Sequence, residues 1–291
     1  MTGDPFVDHR RLLFTVAYEM LGSAADAEDV VQETWLRWAD VDHDEVRDPR
    51  SYLVRIVTRQ ALNRLRTLAR RREDYVGEWL PEPLLTSPDV AEDVELAESV
   101  SIAMLTVLET LGPTERAVFV LREVFDAPYD EIGAAVGKTP AAVRQVARRA
   151  REHVAARRPR TRVRRAEQER VVERFVAALT TGDVQGLMDV LAPDVVAIAD
   201  GGGLVRGAAR KPIVGAARLA AALVRGVGRK IARLELRQVW LNGAPGVRVD
   251  VDGALAIAVG LTVEDGRITR LYGISNPHKL GRLEDEAVLA R

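Results

Sequence analysis

Tyr129 to Arg151 reads YDEIGAAVGKTPAAVRQVARRAR, and its punctuation decides how the chain is read. Gly137 can end a first helix in the left-handed conformation. Thr139 can cap a second helix, and Pro140 suits its first turn. On that second helix Val143, Val146, Ala147, Ala150 and Val154 share one face. Arg144, Arg148 and Arg151 share the opposite face, at spacings of four and three. A tight helix–turn–helix with a basic outer face suits a major groove about 12 Å wide. Arginine grips phosphate or guanine with two hydrogen bonds. The expected DNA contacts here are Lys138, Thr139, Arg144, Gln145, Arg148 and Arg151. A charged, solvated surface helix after a short turn is the competing reading.

Working upstream, the charge pattern repeats this logic. Arg47 to Arg72 holds nine arginines and one acid, Asp48. Glu73 to Glu98 holds nine acids and no base, and Lys138 to Arg160 holds eight bases and one acid, Glu152. The net charge of -1 hides these blocks, which point to two places where a polyanion is touched. Phe6 to Leu68 reads as helical, with Gly22 stopping a first helix and Ser23 opening a second that reaches about Trp38. After an acidic loop, Asp40 to Asp48, Pro49 and Ser51 open a third helix. Its apolar stripe is Val54, Val57, Ala61, Leu65 and Leu68. Arg55, Arg59, Asn63, Arg66 and Arg70 form the polar stripe, fit to hold phosphates and read bases. The acidic face of the second helix, Asp26, Asp29 and Glu33, would be repelled by DNA and suits a protein partner or solvent. The pair Trp35 and Trp38 reads as core.

Gly77 to Pro88 carries Pro81, Pro83 and Pro88 and no helical period, so it reads as a linker. Ala91 to Leu111 reads as helix, Thr114 as the cap of another reaching Phe125, and Arg157 to Arg165 as a basic connector. Beyond Ala166 the texture becomes α+β. A helix runs to Thr181 and a short one from Val184 to Leu191. Another lies between about Lys211 and Val224. Strand-like runs fall at Val195–Ala199, Ile231–Trp240, Gly246–Val251, Ala254–Val263 and Ile268–Ile274, with hairpin chemistry at Asp252-Gly253 and Asp265-Gly266. Helices followed by an antiparallel meander predict an α+β domain.

The 291 residues suffice for two or three domains, and 47% hydrophobic with 29% charged residues fits a globular protein. No apolar run reaches the length of a membrane span, and Met1 to Arg11 lacks a signal-peptide core, so a cytoplasmic protein without a membrane partner is expected. There is no cysteine, and the four histidines, His9, His43, His153 and His278, stand far apart. Neither a metal nor another cofactor is expected.

Residues 1–160 resemble the extracytoplasmic-function sigma factors of RNA polymerase. DAEDVVQETWLRW, Asp26 to Trp38, is similar to the helix with which that family grips the polymerase clamp. RDPRSYLVRIVTRQALNRLR, Arg47 to Arg66, resembles its minus-ten reader, and Tyr129 to Arg151 its minus-thirty-five reader. The rest resembles the sigma-J-like subgroup, whose C-terminal SnoaL-like domain has a cone-shaped fold. That resemblance rests on Trp79-Leu80-Pro81-Glu82-Pro83, Asp200-Gly201-Gly202-Gly203 and Asn276-Pro277. The subgroup's usual lysine after the glycines is Leu204 here, with Lys211 nearby, and His278 stands where an aspartate is common.

The resemblance implies two all-α sigma domains plus a C-terminal α+β SnoaL-like domain. It places a sigma-2 domain at 1–76, a linker at 77–98, a sigma-4 helix–turn–helix domain at 99–158 and a regulatory domain at 165–285. The implied partners are core RNA polymerase and promoter DNA, with room for an unidentified small ligand in the C-terminal domain. That domain would replace a separate anti-sigma protein, and the WLPEP, DGGG and Asn276-Pro277 residues would dock linker and domain together. The alternatives are a one-component DNA-binding regulator with a ligand-binding cone domain and an enzyme of the cyclase or isomerase kind. Candidate acids and bases for an enzyme are Asp200, Asp250, Asp252 and His278.

Overall fold

Each early helix starts where a side chain satisfies its free N–H groups. In a computed structural model that describes residues 4–73, 75–157, 163–228 and 233–291, Asp4 accepts from the Phe6 N–H and opens α1 (Pro5–Leu21). The Arg70 side chain, residues 158–162 of the basic connector and the start of the expected strand at Ile231 lie outside the described residues. Ser23 accepts from the Asp26 N–H and opens α2 (Ala24–Ala39). Asp48 accepts from the Ser51 N–H and hydroxyl as α3 (Pro49–Glu73) begins. Those bonds favour the ionised form and hold the Asp48 carboxyl below its ordinary value.

The expected helix over Ala91–Leu111 is two helices, α4 (Val94–Val100) and α5 (Ile102–Leu108). The Ser99 and Ser101 hydroxyls donate back to Leu96 O and Glu98 O, and Ser101 leaves the helical conformation. Serine competing for its own backbone is a known helix breaker. The next helix, α6 (Pro113–Phe119), is capped at Gly112 and not at Thr114, because Pro113 takes the first position, where no N–H is needed. A π-helical turn (Val120–Val124) follows. Then come α7 (Tyr129–Val136) and α8 (Pro140–Ala155), with Gly137 between them at φ 71°.

The chain divides into two units, one holding 1–74, 104–158 and 288–291, the other 75–103 and 159–287. In the first, α1 packs on α2 and α3, and α6 on α8. Burial pulls the Arg116 guanidinium down to about 9, so it stays charged at neutral pH, and it pairs with Glu109.

The second unit adds α9 (Arg165–Thr181), α10 (Val184–Val190) and α11 (Ala216–Gly228). Its strands are β1 (Leu191–Asp200), β2 (Ile213–Val214), β3 (Leu234–Leu241), β4 (Ala244–Val251), β5 (Ala254–Glu264) and β6 (Arg267–Ile274). They form one sheet in the order β2-β1-β6-β5-β4-β3. The expected meander holds for β3 to β6, but β1 returns parallel to β6, and the two-residue β2 is too short to show a period in sequence. Asp252-Gly253 and Asp265-Gly266 make their turns with both residues at positive φ, as does Asn242-Gly243, a third such pair beyond the two expected.

Alternation along the strands gives the sheet two apolar faces. Val247, Val249, Val259 and Leu271 pack in one cluster with Phe175, Leu179 and Leu219 of the helices. Ala258, Tyr272 and Ile274 point the other way and pack with Leu80, Ile102, Leu280 and Leu283. Residues before α5 therefore supply part of the cover over that second face.

Candidate nucleic-acid interface

Thr139 accepts from the Ala142 N–H at 3.3 Å and sets the start of α8. Val143, Val146, Ala147, Ala150 and Val154 are buried, so the stripe opposite them faces outward as expected. Lys138, Thr139, Arg144, Gln145 and Arg148 are all exposed, and so is Arg151. Arg148 pairs with Glu152 at 3.1 Å, and Arg151 lies 3.6 Å from Glu123. The Arg144 guanidinium lies over the Tyr129 ring.

On α3 the buried residues include Leu53, Val57, Ala61, Leu62 and Leu65, so the polar stripe again faces outward. Arg59, Asn63 and Arg66 are exposed, and Arg66 donates to Asn63 at 3.2 Å. Arg55 is half-buried over the Tyr52 ring. Two bonds tie this helix to α7. Arg59 donates to Ala134 O at 2.7 Å, and the Ser51 hydroxyl, whose one hydrogen is shared between Asp48 and Glu131, lies 2.9 Å from the Glu131 carboxylate. A cleft of about 460 Å³ runs alongside, lined in part by Arg47, Ser51, Tyr52, Arg55 and Glu131.

The acidic face of α2 is not bare. Arg64 of α3 lies 3.4 Å from Asp26, 3.2 Å from Asp29 and 3.5 Å from Glu33, and Gln60 donates to Glu33 at 2.7 Å. Arg64 is absent from the expected polar stripe, although its spacing puts it beside that stripe. Of the two tryptophans of α2 expected in the core, Trp38 is buried, but Trp35 is 46% exposed, and Leu36 beside it is 58% exposed. Two large apolar side chains beside Asp29 and Glu33 make this a mixed surface suited to protein.

In the second unit the residues singled out around WLPEP and DGGG meet. Leu80, Pro81, Glu82 and Pro83 are buried and Trp79 half-buried. The Asp200 carboxylate, fully buried, accepts from the Tyr75 hydroxyl, the Leu80 N–H at 2.9 Å, the Gly202 N–H at 3.0 Å and the Lys279 ammonium at 2.7 Å. Burial, and then the Asp200 carboxylate, push the Tyr75 hydroxyl well above its ordinary value, so it stays protonated and serves as a donor. Lys279 lies over the rings of Trp79 at 4.1 Å and Tyr75 at 5.1 Å. Asn276 donates to the Tyr75 oxygen at 2.8 Å and caps the short turn opened by Pro277. Gly202 sits at φ 58°, and a Cβ there would come within 2.5 Å of the Asn276 amide, so the run of glycines lets Asn276 close in. Gly201 and Gly203 flank it in the same loop. With Leu204 in place of the subgroup's usual lysine, the ammonium at this cluster comes from Lys279 and not from Lys211. Neither Tyr75 nor Lys279 stands among the expected site residues; the aromatic pair Tyr75 and Trp79 with a lysine next to His278 was the available signal.

The candidate acids are occupied. Asp250 is buried between Arg237 at 2.6 Å and Arg248 at 2.9 Å. Burial raises its pKa, but the hydrogen bonds from those two arginines outweigh this and leave it lowered. Asp252 sits in its turn at φ 53°. Among the described residues no group of acids, histidines or cysteines could hold a metal ion, and no helix is long and apolar enough to cross a membrane.

Residues 6–71 match the family model for sigma-70 region 2, and residues 101–154 that for sigma-70 region 4. The chain is 37% identical to the ECF RNA polymerase sigma factor SigJ of Mycobacterium tuberculosis, over 93% of this chain and 90% of that one. It is 33% identical to the probable ECF RNA polymerase sigma factor SigI of the same species, over 96% and 94%. The crystal structure of the M. tuberculosis sigma factor SigJ superposes with a TM-score of 0.76 at 33% identity, covering 96% of this chain and 98% of that one.

Proposed function

Because the chain belongs to the extracytoplasmic-function RNA polymerase sigma factors, we propose that it docks on core polymerase through α2 and reads promoters through α3 and α8. The observation that carries this reading is the pair of outward arginine-bearing helices, one in each matched sigma region. Asp26, Asp29 and Glu33 form the polymerase-facing acidic surface, and exposed Trp35 and Leu36 add the apolar anchor. Arg55, Arg59, Asn63 and Arg66 face the minus-ten element, where unstacked bases can be read on their edges. Arg59 exchanges its bond to Ala134 O for a DNA contact when it engages. Lys138, Thr139, Arg144, Gln145, Arg148 and Arg151 face the minus-thirty-five element.

The C-terminal domain regulates these steps through the segment it holds, with Asp200 and Lys279 gripping Tyr75, Trp79 and Leu80. We assign it no catalysis, since Asp200 is committed to that cluster and Asp250 to Arg237 and Arg248. Run-off transcription with core polymerase tests the reading. Alanine at both Arg144 and Arg148 should weaken promoter binding by about 1–3 kcal/mol for each of the two that reads a base. Undiminished promoter-dependent transcription from that variant would sink the assignment. Trp79→Ala should shift activity without changing which promoters are used, and unaltered activity would leave the regulatory arm unsupported.

A further inference from the structure

The three arginines on the outer face of α8 are not held alike. Arg148 and Arg151 each lie near a glutamate, Glu152 at 3.1 Å and Glu123 at 3.6 Å. Arg144 has no acidic partner among the described residues. Its guanidinium carbon instead lies 5.7 Å from the centroid of the Tyr129 ring. Tyr129 is the first residue of α7 and is half-buried. The same ring carries Arg122 at 4.9 Å. Arg122 in turn is tied to the Asp126 carboxylate at 2.9 Å and donates to Ala127 O at 3.0 Å. The ring therefore rests on a fixed support on one element and reaches Arg144 on the next.

We propose that Tyr129 is a positioning residue that presets Arg144 to read a guanine in the minus-thirty-five element, while Arg148 and Arg151 serve mainly as charge. The proposal deepens the assignment of α8 as promoter reader and rests on it. An aromatic face holds a cation through its quadrupole and takes none of the five N–H donors of the guanidinium. Arg144 thus keeps its planar fork intact for the two acceptors of guanine. It gives up no hydrogen bond on binding and loses little side-chain freedom, because the ring already limits it. Arg148 and Arg151 must first surrender a glutamate. Position agrees with this division. Arg144 lies in the second turn of a helix that starts at Pro140, and residues near the start of a recognition helix approach base edges. Arg148 and Arg151 lie further along.

The experiment selects promoters with polymerase reconstituted from core enzyme and the full chain. The probe is a pool of duplexes randomised over both promoter elements. The parent chain should enrich guanine at one minus-thirty-five position, and Arg144→Ala should abolish that enrichment. Tyr129→Leu should lower it at the same position by about two- to tenfold and leave other positions unchanged, while Tyr129→Phe should keep it. Phenylalanines of increasing fluorination at position 129 guard against a folding defect, since they drain the ring's negative face without changing its shape. Guanine preference should fall in step with fluorination. If it survives both Tyr129→Leu and the fluorinated series while Arg144→Ala removes it, the positioning role is wrong and the base-reading role of Arg144 stands. If Arg144→Ala changes no preference, the base-reading role itself falls, and the positioning role with it.

Discussion

Asp200 shows how much one side chain can organise. A buried carboxylate is tolerable only when it is paired and hydrogen-bonded, and this one collects four donors from three separate stretches of chain. Asp200→Ala would take a carboxylate away from the Lys279 ammonium at 2.7 Å and leave the Leu80 and Gly202 N–H groups without this acceptor. The expected cost is about 3–5 kcal/mol, read as a lower calorimetric Tm for the C-terminal domain. An unchanged Tm would show the cluster to be incidental. Asp250 makes the complementary pH argument. Its folded pKa lies below the ordinary 3.8, so its stabilisation is present above that value and is lost as pH falls through and below it. The stability gap between the parent and Asp250→Asn should be widest near neutral pH and close below about pH 4. A gap that stays constant with pH would contradict the ionic account. Asp200 was legible in the sequence through its glycine-rich neighbours. Lys279 was not singled out, because its signal is split: the two aromatic rings it meets, Tyr75 and Trp79, lie some two hundred residues away in the chain.

At the scale of elements, periodicity worked where one face is wet and one dry. The stripe of α8 predicted its buried and exposed residues closely, while on α3 Val57, Ala61 and Leu65 are buried as expected, Val54 and Leu68 are half-buried, and Leu53 and Leu62 outside the stripe are buried; positive-φ chemistry at Gly137 placed the turn between α7 and α8. Periodicity said nothing about the segment before α4, since Leu80 to Leu84 is buried at five consecutive positions and offers no alternation to read. Its prolines kept it irregular, and among the described residues one bridge, Leu85 to Leu241, joins it to the sheet. Side chains do the rest. Asn242 accepts from the Leu84 N–H at 2.9 Å and donates to Val100 O at 2.8 Å, so a hairpin tip holds both the segment and the end of α4 that follows it. Leu80→Ala should therefore cost about 2–5 kcal/mol, as in a core helix, although Leu80 belongs to no regular element. Urea unfolding followed at the sheet should register the loss, and a change under about 0.5 kcal/mol would mean the segment is loosely held.

For the whole molecule, the order of the chain and the order of its packing diverge. Residues 75–103, which span the interval between the two sigma regions and the first three residues of the second, cluster with 159–287. The reason is the second apolar face of the sheet. Ala258, Tyr272 and Ile274 are buried there, with Leu80 and Ile102 among the residues packed on them. A C-terminal fragment starting at 163 would lack both. It would expose a contiguous apolar patch of the kind that drives association. We expect that fragment to self-associate in sedimentation velocity, while its helix-covered face, built from α9 to α11, stays folded by circular dichroism. A peptide spanning residues 75–103, added in trans, should restore the monomer, because the Asp200, Asn242 and Lys279 contacts all lie within this unit. The same peptide with Leu80 replaced by aspartate should fail. A fragment that is monomeric without the peptide would show that the segment before α4 is dispensable to the sheet, and the regulatory grip on it would then need another anchor.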